Sequence, residues 1–228
     1  MQDKIVGNIF DFEDEAIKLL NPQIGFESVT GKIINFNDEV AEVLLHSGQV
    51  GRLFITEFYS NKKFKLGENY TYLKLSNDEK PLLSVAHPNL LVSIISGLSP
   101  EFRKGVIREF GVVRRVGIRS KIAVGSTVEN FDPVGAVVGK AANRIKYLID
   151  KLGGERVDVV PYHQDKKVFV ANSLGVKVQN IELINGEYVV EVPVHQMQAA
   201  IGGGGINVLL AAKLTNSKIK IQGAVNEK

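Results

Sequence analysis

The sequence predicts an α+β multidomain protein in which a five-stranded OB-fold barrel is followed by two copies of one small module. Three observations carry this prediction. Short alternating apolar runs, separated by turn residues, fill residues 23–87. A helix, strand, strand, helix, helix, strand pattern then occurs twice, in residues 88–160 and 161–228. Each copy places a turn of small residues between two helices, at residues 139–142 and 202–205.

The composition excludes several functional classes. The 228 residues are 44% hydrophobic and 23% charged, which is typical of a globular chain with a sizeable core. There is no cysteine, so thiol nucleophiles, disulfides and Cys-ligated metals are excluded, and the four histidines share no ligand spacing. We therefore expect no metal and no other cofactor. No apolar run is long enough to span a membrane and the first residues are acidic, so a cytoplasmic protein without membrane contact is expected.

The net charge of +3 is unevenly distributed along the chain. Residues 1–87 contain nine basic and thirteen acidic side chains, a net −4, whereas residues 88–228 contain nineteen and twelve, a net +7. This asymmetry favours a polyanionic partner for the second part of the chain. A basic surface that serves only solubility remains the alternative at this point.

The barrel follows a short N-terminal segment, residues 1–22, which contains one helix candidate over residues 13–20. Strands are predicted at residues 28–35, 40–45, 49–55, 69–75 and 81–84. OB barrels bind single-stranded nucleic acid on aromatic platforms beside basic side chains. The candidates for such a surface are Phe36, Phe54, Phe58, Tyr59, Arg52, Lys62, Lys63 and Lys65. Residues 23–87 carry seven basic and eight acidic side chains, which argues against strong binding by the barrel alone.

The two modules align with each other residue by residue. In the first, helices are predicted at residues 89–96, 133–138 and 143–152, and strands at residues 105–114, 119–124 and 156–160. In the second, helices are predicted at residues 165–173, 195–201 and 207–214, and strands at residues 176–184, 188–192 and 218–221. Gly139 maps onto Gly202 and Ile145 onto Val208 at an offset of 63 residues. The chain therefore contains a duplicated unit.

A GxxG-like turn between two helices beside a three-stranded sheet is typical of KH domains, whose turn clamps the backbone of about four nucleotides. The start of a helix offers unpaired N–H groups and a positive dipole end to a phosphate. The predicted RNA-binding residues are Gly139, Lys140, Ala141, Ala142, Arg144, Lys146, Gly202, Gly203, Gly204, Gly205, Asn207, Arg119, Lys121 and Arg52. An apolar floor for the bases is expected from Ile145, Leu148, Ile149, Val208, Leu209 and Ala212.

A series of ordered motifs then identifies a family. The chain contains LLSVAHPNLL, RSKIAVGS, DPVGAVVG, LGGERVDVV, AIGGGGINVLLAAKL and KIKI, and from about residue 25 to residue 222 it closely resembles the NusA family of bacterial transcription factors. The resemblance implies a barrel of the ribosomal S-one type, two type II KH domains and one continuous surface for nascent single-stranded RNA. It also implies modulation of elongation, pausing, termination or antitermination, with RNA polymerase and other Nus-type factors as partners. We expect a monomer.

The sequence departs from the family pattern at three places. Only about two dozen residues precede the barrel, where the family has a polymerase-binding domain, so polymerase contact is an open question. Ala142 stands where a second glycine is expected; alanine costs nothing there if the position is helical, and we expect the clamp to survive. The second turn has Gly203 and Gly204 where the family commonly has two basic residues. The first KH domain is therefore expected to carry more of the RNA affinity.

The same residues do not fit the other common kinds of glycine-rich site. Gly139-Lys140 lacks the Ser or Thr of a P-loop, and no strand, turn and helix unit supports a dinucleotide site. No nucleophile, base and orienting group can be assembled, so the protein is not expected to be an enzyme. Two alternatives to a transcription factor stay open. One is an RNA-binding protein of ribosome or rRNA processing that does not contact polymerase, and the other is a scaffold whose clamps no longer bind RNA.

Overall fold

The structure is a computed structural model, and it describes residues 27–58 and 64–224. The predicted helix over residues 13–20 lies outside the described residues, as do Tyr59, Lys62, Lys63 and the side chain of Phe58.

Five strands form a closed barrel. They are β1 (Glu27–Phe36), β2 (Val40–Leu45), β3 (Val50–Phe54), β4 (Asn69–Lys74) and β5 (Leu82–Ser84). The order around the barrel is β1-β2-β3-β5-β4, and β3 pairs with β5 in parallel while the other neighbours are antiparallel. Alternation along the strands turns Ile33, Val43 and Tyr72 inward into one core and leaves Arg52 exposed. The predicted barrel is confirmed.

The first module packs helices on one face of a three-stranded sheet. Its elements are α1 (Asn89–Leu98), α2 (Pro100–Arg103), β6 (Ile107–Arg115), β7 (Arg119–Ser126), α3 (Pro133–Val138), α4 (Asn143–Lys151) and β8 (Arg156–Pro161). β7 lies in the centre, antiparallel to β6 and parallel to β8. The helix predicted over residues 89–96 was too short, because α1 continues through Gly97 to Leu98. Ser99 then starts α2, accepting a hydrogen bond from the Phe102 amide.

The second module repeats this topology. Its elements are α5 (Lys166–Leu174), β9 (Asn180–Ile184), β10 (Glu187–Val192), α6 (Met197–Ile201), α7 (Ile206–Thr215) and β11 (Lys218–Gly223). β10 is antiparallel to β9 and parallel to β11, so the duplication is confirmed. The predicted strand over residues 176–184 was too long, and β9 begins only at Asn180. The Lys177 amide donates to the Gln196 side chain instead of to a neighbouring strand.

The three units are packed against one another. Leu73 and Leu75 of the barrel belong to the same buried cluster as Leu91 of the first module. On the other side of that module, α7 packs across β6 and β7, where Leu214 joins Ala123 in a further cluster. Each neighbouring pair of units therefore shares an apolar contact.

A buried ion pair of the first module also holds the segment that connects this module to the barrel. Arg114 Nε and Nη2 each donate to a different oxygen of Glu155 at 2.9 Å. Arg114 Nη1 donates to three consecutive carbonyls of the connecting segment, those of Val85 (3.0 Å), Ala86 (3.3 Å) and His87 (2.9 Å). The two side chains are only 3% and 0% exposed. One guanidinium thus fixes the position at which the chain leaves the barrel.

Glu155 also receives hydrogen bonds from its own module. The Gly117 amide donates to it at 2.8 Å, and the Ser120 hydroxyl donates to its other oxygen. Burial raises the pKa of Glu155, but the charge of Arg114 and the hydrogen bonds from Arg114, Ser120 and Gly117 outweigh burial. The pKa therefore lies below its ordinary value of 4.5.

We predict that Glu155→Gln lowers the free energy of unfolding at pH 7 by about 3–5 kcal/mol, because the buried Arg114 charge loses its partner. A carboxylate with a lowered folded-state pKa stabilises the fold above its unfolded-state pKa and loses this contribution as the pH falls. Urea unfolding should show that wild-type stability declines below pH 4.5, the ordinary value for this group, and that the variant declines less steeply. Glu182→Gln, at an exposed position of β9, is the control and should change stability by less than about 0.5 kcal/mol. Equal stability of Glu155→Gln and wild type would contradict the account.

Candidate nucleic-acid interface

The two small-residue turns have the same backbone conformation. Gly139 (φ 76°, ψ 167°) matches Gly202 (φ 77°, ψ 162°). Two residues later, Ala141 (φ 52°, ψ 27°) matches Gly204 (φ 59°, ψ 22°). Two different sequences, GKAA and GGGG, thus build one loop at equivalent places in the two modules.

Ala142 is not helical, so the condition under which alanine would cost nothing there is not met. Its φ of 60° and ψ of 25° lie in the left-handed region, as does the φ of 77° at the equivalent Gly205. An L-residue in this region costs roughly 1–2 kcal/mol. The alignment with Gly205 was the sequence signal that could have revealed this position.

The first glycine of each turn is required by the next helix. A Cβ on Gly139 would lie 2.7 Å from Arg144 Cγ, and a Cβ on Gly202 would lie 2.8 Å from Asn207 Cβ. Arg144 and Asn207 occupy equivalent positions near the starts of α4 and α7. Each first glycine therefore lets the following helix begin close against the preceding one.

Asn207, predicted to bind RNA, is buried. Its side chain is 0% exposed, and Nδ2 donates to the carbonyls of Leu174 (2.9 Å), Ala199 (3.2 Å) and Ala200 (2.9 Å). Its side chain holds the ends of α5 and α6 together from inside the domain. Sequence reasoning could not distinguish this buried amide from an exposed one.

Arg144 is the counterpart of Asn207 and bonds in the same way. Its Nη1 donates to the Ala136 carbonyl at 2.6 Å, which is equivalent to Ala199, and to Glu101 at 3.3 Å. The side chain remains 31% exposed. Two hydrogen bonds of its Nη1 are thus made within the domain.

Two backbone amides of the first turn, those of the exposed residues Lys140 and Ala141, have no acceptor among the described residues. The Gly139 amide donates to the Gly135 carbonyl at 2.8 Å, and the Ala142 amide donates to the Gly139 carbonyl at 3.0 Å. Within residues 27–58 and 64–224, no acceptor is found for the amides of Lys140 and Ala141 between them. Two adjacent N–H groups at the start of α4 are the arrangement that binds a phosphate.

Two lysines surround these amides. Lys140 and Lys146 are exposed, and Lys146 Nζ lies 3.4 Å from the Ala141 carbonyl oxygen. The second turn has no such charges, because Gly203 and Leu209 occupy the equivalent positions. Gly203 is exposed and Leu209 is 41% exposed. The same loop therefore carries two cations in the first module and none in the second.

The predicted RNA contacts on β7 are held by an ion-pair network. Lys121 Nζ and Arg119 Nε donate to the same oxygen of Asp158, at 2.7 and 2.8 Å. The Lys121 side chain is 1% exposed and that of Arg119 is 18% exposed, so both are used within the domain in this structure, and their contact with RNA stays a prediction. Burial raises the pKa of Asp158, but the hydrogen bond from Arg119 and the charge of Lys121 outweigh it and lower that pKa. Asp158 of β8 lies directly opposite Lys121 of β7 in the parallel pair. The predicted pairing of these two strands could therefore have indicated the contact.

Most of the predicted floor belongs to the cores. Leu148 is buried, and Ile145, Ile149 and Val208 pack against buried clusters, whereas Leu209 is exposed. On the barrel, Arg52 is exposed opposite Glu42, and Phe36 and Phe54 are 50% and 48% exposed. Their use as a stacking surface stays a prediction.

Two kinds of feature, a metal-binding cluster and a membrane-spanning helix, are absent from the described residues. Among residues 27–58 and 64–224, no three His, Asp or Glu side chains are placed to hold a metal ion. No helix of the same residues is long and apolar enough to cross a membrane.

The turn geometry makes a reciprocal prediction. Ala142→Gly should raise the free energy of unfolding by about 1 kcal/mol, since it removes left-handed strain, and Gly205→Ala should lower it by about the same amount. No atom lies within 4 Å of a Cβ added at Gly205, so strain alone is tested there. Urea unfolding of both variants measures the two changes. Destabilisation by Ala142→Gly would contradict the assigned conformation.

Comparison with known proteins agrees with this geometry. Residues 86–162 match the NusA-like first KH domain, and residues 166–228 match the NusA-like second KH domain. The protein named "Transcription termination/antitermination protein NusA" is 39% identical over 145 residues in Mycobacterium tuberculosis, covering 62% of this chain and 42% of that protein. In Bacillus subtilis the protein of that name is 38% identical, covering 61% of this chain and 38% of that protein.

The match thus spans about two-fifths of the length of these relatives. Among solved structures, the crystal structure of APE1850 covers 58% of this chain and 95% of its own, at 27% identity and a TM-score of 0.43. Two NusA-like KH domains follow one another here in their order of first and second, behind a closed barrel. Through its two KH domains, the chain belongs to the NusA family.

Proposed function

We propose that this protein binds nascent single-stranded RNA through the turns of its two KH domains. By this contact it modulates elongation, pausing, termination or antitermination by RNA polymerase. The observation that carries the proposal is the pair of turns with matching dihedral angles at the starts of α4 and α7. The name of the relatives, transcription termination/antitermination protein, supports the process.

The first turn supplies both parts of a phosphate clamp. The amides of Lys140 and Ala141 donate to phosphate oxygens at the positive end of α4, and the side chains of Lys140 and Lys146 add charge. An RNA backbone held there follows the exposed side of α4. The second turn supplies the amides of Gly203 and Gly204 without side-chain charge. We infer that the first KH domain contributes more of the affinity and of its salt dependence.

A charge exchange between the turns tests this inference. Lys140→Gly should weaken RNA binding and make the negative slope of log K against log salt shallower by about 0.7, the value for one lost single-strand phosphate contact. Gly203→Lys places a lysine at the equivalent position, where no atom lies within 4 Å of an added Cβ, and should make this slope steeper by about 0.7. Filter binding of single-stranded RNA over a salt series measures both.

The control for this pair is Lys80→Ala, which removes an exposed lysine from the turn between β4 and β5. It should leave affinity and slope close to wild type. Absence of wild-type binding at low salt would reject RNA binding altogether. Unchanged slopes in both turn variants would show that RNA is held elsewhere.

Contact with RNA polymerase and with other Nus-type factors belongs to the same proposal. If the protein is a transcription factor, a tagged copy should retain RNA polymerase when purified from its native cell in low salt. Retention of ribosomal precursors without polymerase would instead support ribosome or rRNA processing. Western blotting for a polymerase subunit, with the Lys140→Gly variant as a control for retention through RNA, distinguishes the two. A monomeric state and a cytoplasmic location remain predictions.

A further inference from the structure

A cleft of about 280 Å³ lies between the barrel and the first KH domain. Neither predicted RNA contacts nor the KH turns line it. Its lining residues are Ser28, Thr30, Thr71, Ile94, Gly97, Leu98, Tyr147 and Lys151. The barrel contributes three hydroxyl side chains, and the KH domain contributes an aromatic ring and an ammonium group.

The three hydroxyls are placed on one face by strand geometry. Ser28 and Thr30 are two residues apart on β1, and Thr30 lies directly opposite Thr71 of β4. Their neighbours Val29 and Tyr72 point the other way, into the barrel core. The barrel face that lines the cleft therefore carries hydroxyl groups that can form hydrogen bonds, whereas the opposite face of the same strands is apolar.

The exposure of Tyr147 is not required by the packing of the KH module. Its side chain is 48% exposed on α4, and Lys151 Nζ lies 5.1 Å from its ring centroid. The equivalent residue of the second KH domain is Leu210, which is buried. The second KH domain thus uses this position for its core, whereas the first KH domain has a tyrosine there that lines the cleft.

Gly97 keeps the cleft open. It lies inside α1, where glycine is about 1 kcal/mol less favourable than alanine. A Cβ added there would meet no atom within 4 Å, so packing does not require glycine. The space that a larger side chain would occupy belongs to the cleft.

The cleft is within reach of the clamped strand. Tyr147 follows Asn143, the first residue of α4, by about one helical turn, roughly 6 Å along the axis. We propose that this cleft binds one nucleoside of the RNA strand held at the first KH turn. The base stacks on Tyr147, while the hydroxyls of the barrel wall and Lys151 bind the ribose and phosphate. This site rests on the proposed RNA binding and extends the KH surface onto the barrel.

Two substitutions test the site from opposite directions. Tyr147→Ala removes the stacking ring, and Gly97→Gln fills the cleft. Each should weaken binding of random-sequence eight-nucleotide single-stranded RNA by at least about fivefold, the lower end for loss of one stacked base. Tyr147→Phe keeps the ring and should stay within about twofold of wild type. Fluorescence anisotropy over a salt series measures each affinity.

The salt series separates stacking from charge. Tyr147→Ala should lower affinity at every salt concentration without changing the slope, because an aromatic ring displaces no counterions. Gly97→Gln replaces glycine by a better helix former, so its melting temperature should equal or exceed that of wild type. Loss of RNA binding by a variant of undiminished stability cannot come from unfolding. Leu183→Ala, which truncates an apolar side chain that is 54% exposed on β9, is the matched control and should bind as wild type.

The outcomes distinguish the site from the general function. If wild type binds RNA and Lys140→Gly weakens it, but Tyr147→Ala and Gly97→Gln bind as wild type, the cleft is not a nucleoside site. If wild type itself fails to bind at low salt, RNA binding and the site fail together. Weakened binding by both cleft variants, with Tyr147→Phe and Leu183→Ala unaffected, supports the site.

Discussion

The arrangement of the molecule depends on the buried pair of Arg114 and Glu155. Arg114 contacts Glu155 with two of its nitrogens and the carbonyls of residues 85–87 with the third. From the other side, Glu57 of the barrel accepts hydrogen bonds from the amides of Val85 (2.6 Å) and Ala86 (3.2 Å). Because buried ion pairs are costly to desolvate, such a pair contributes orientation more than net stability. Here Arg114 holds the segment that connects the barrel to the first KH domain.

The two KH turns share one backbone conformation but differ in the charge of their side chains. Arg144 and Asn207 differ in charge and size, but both bond to the end of the preceding helix and both require glycine at the start of the turn. The loop is therefore determined by the backbone and by the packing of the two helices. The cations at Lys140 and Lys146 are additions to this loop, and the second domain lacks them. An RNA strand that crosses both domains meets two clamps of the same shape and different charge.

Sequence reasoning predicted the elements better than the environments of single side chains. Period, turn residues and internal repetition were enough for the barrel, the two modules and the turns. Lys121 and Asn207 were assigned to RNA because their types and positions suit it, but burial depends on packing between distant elements. Glu155 went unnoticed because its partner Arg114 lies 41 positions away. Ala142 was misjudged although its counterpart Gly205 indicated a left-handed conformation.

The central claim is that RNA binds at the amides of the KH turns that have no acceptor within the described residues. A titration of ¹⁵N-labelled protein with single-stranded RNA, followed by amide chemical shifts, tests it most directly. The account predicts the largest shifts at Lys140, Ala141, Gly203 and Gly204, saturating at lower RNA concentration in the first turn, with little change at the buried Ser120. Unchanged turn amides, with shifts confined to the barrel or to the sheet faces, would contradict the account.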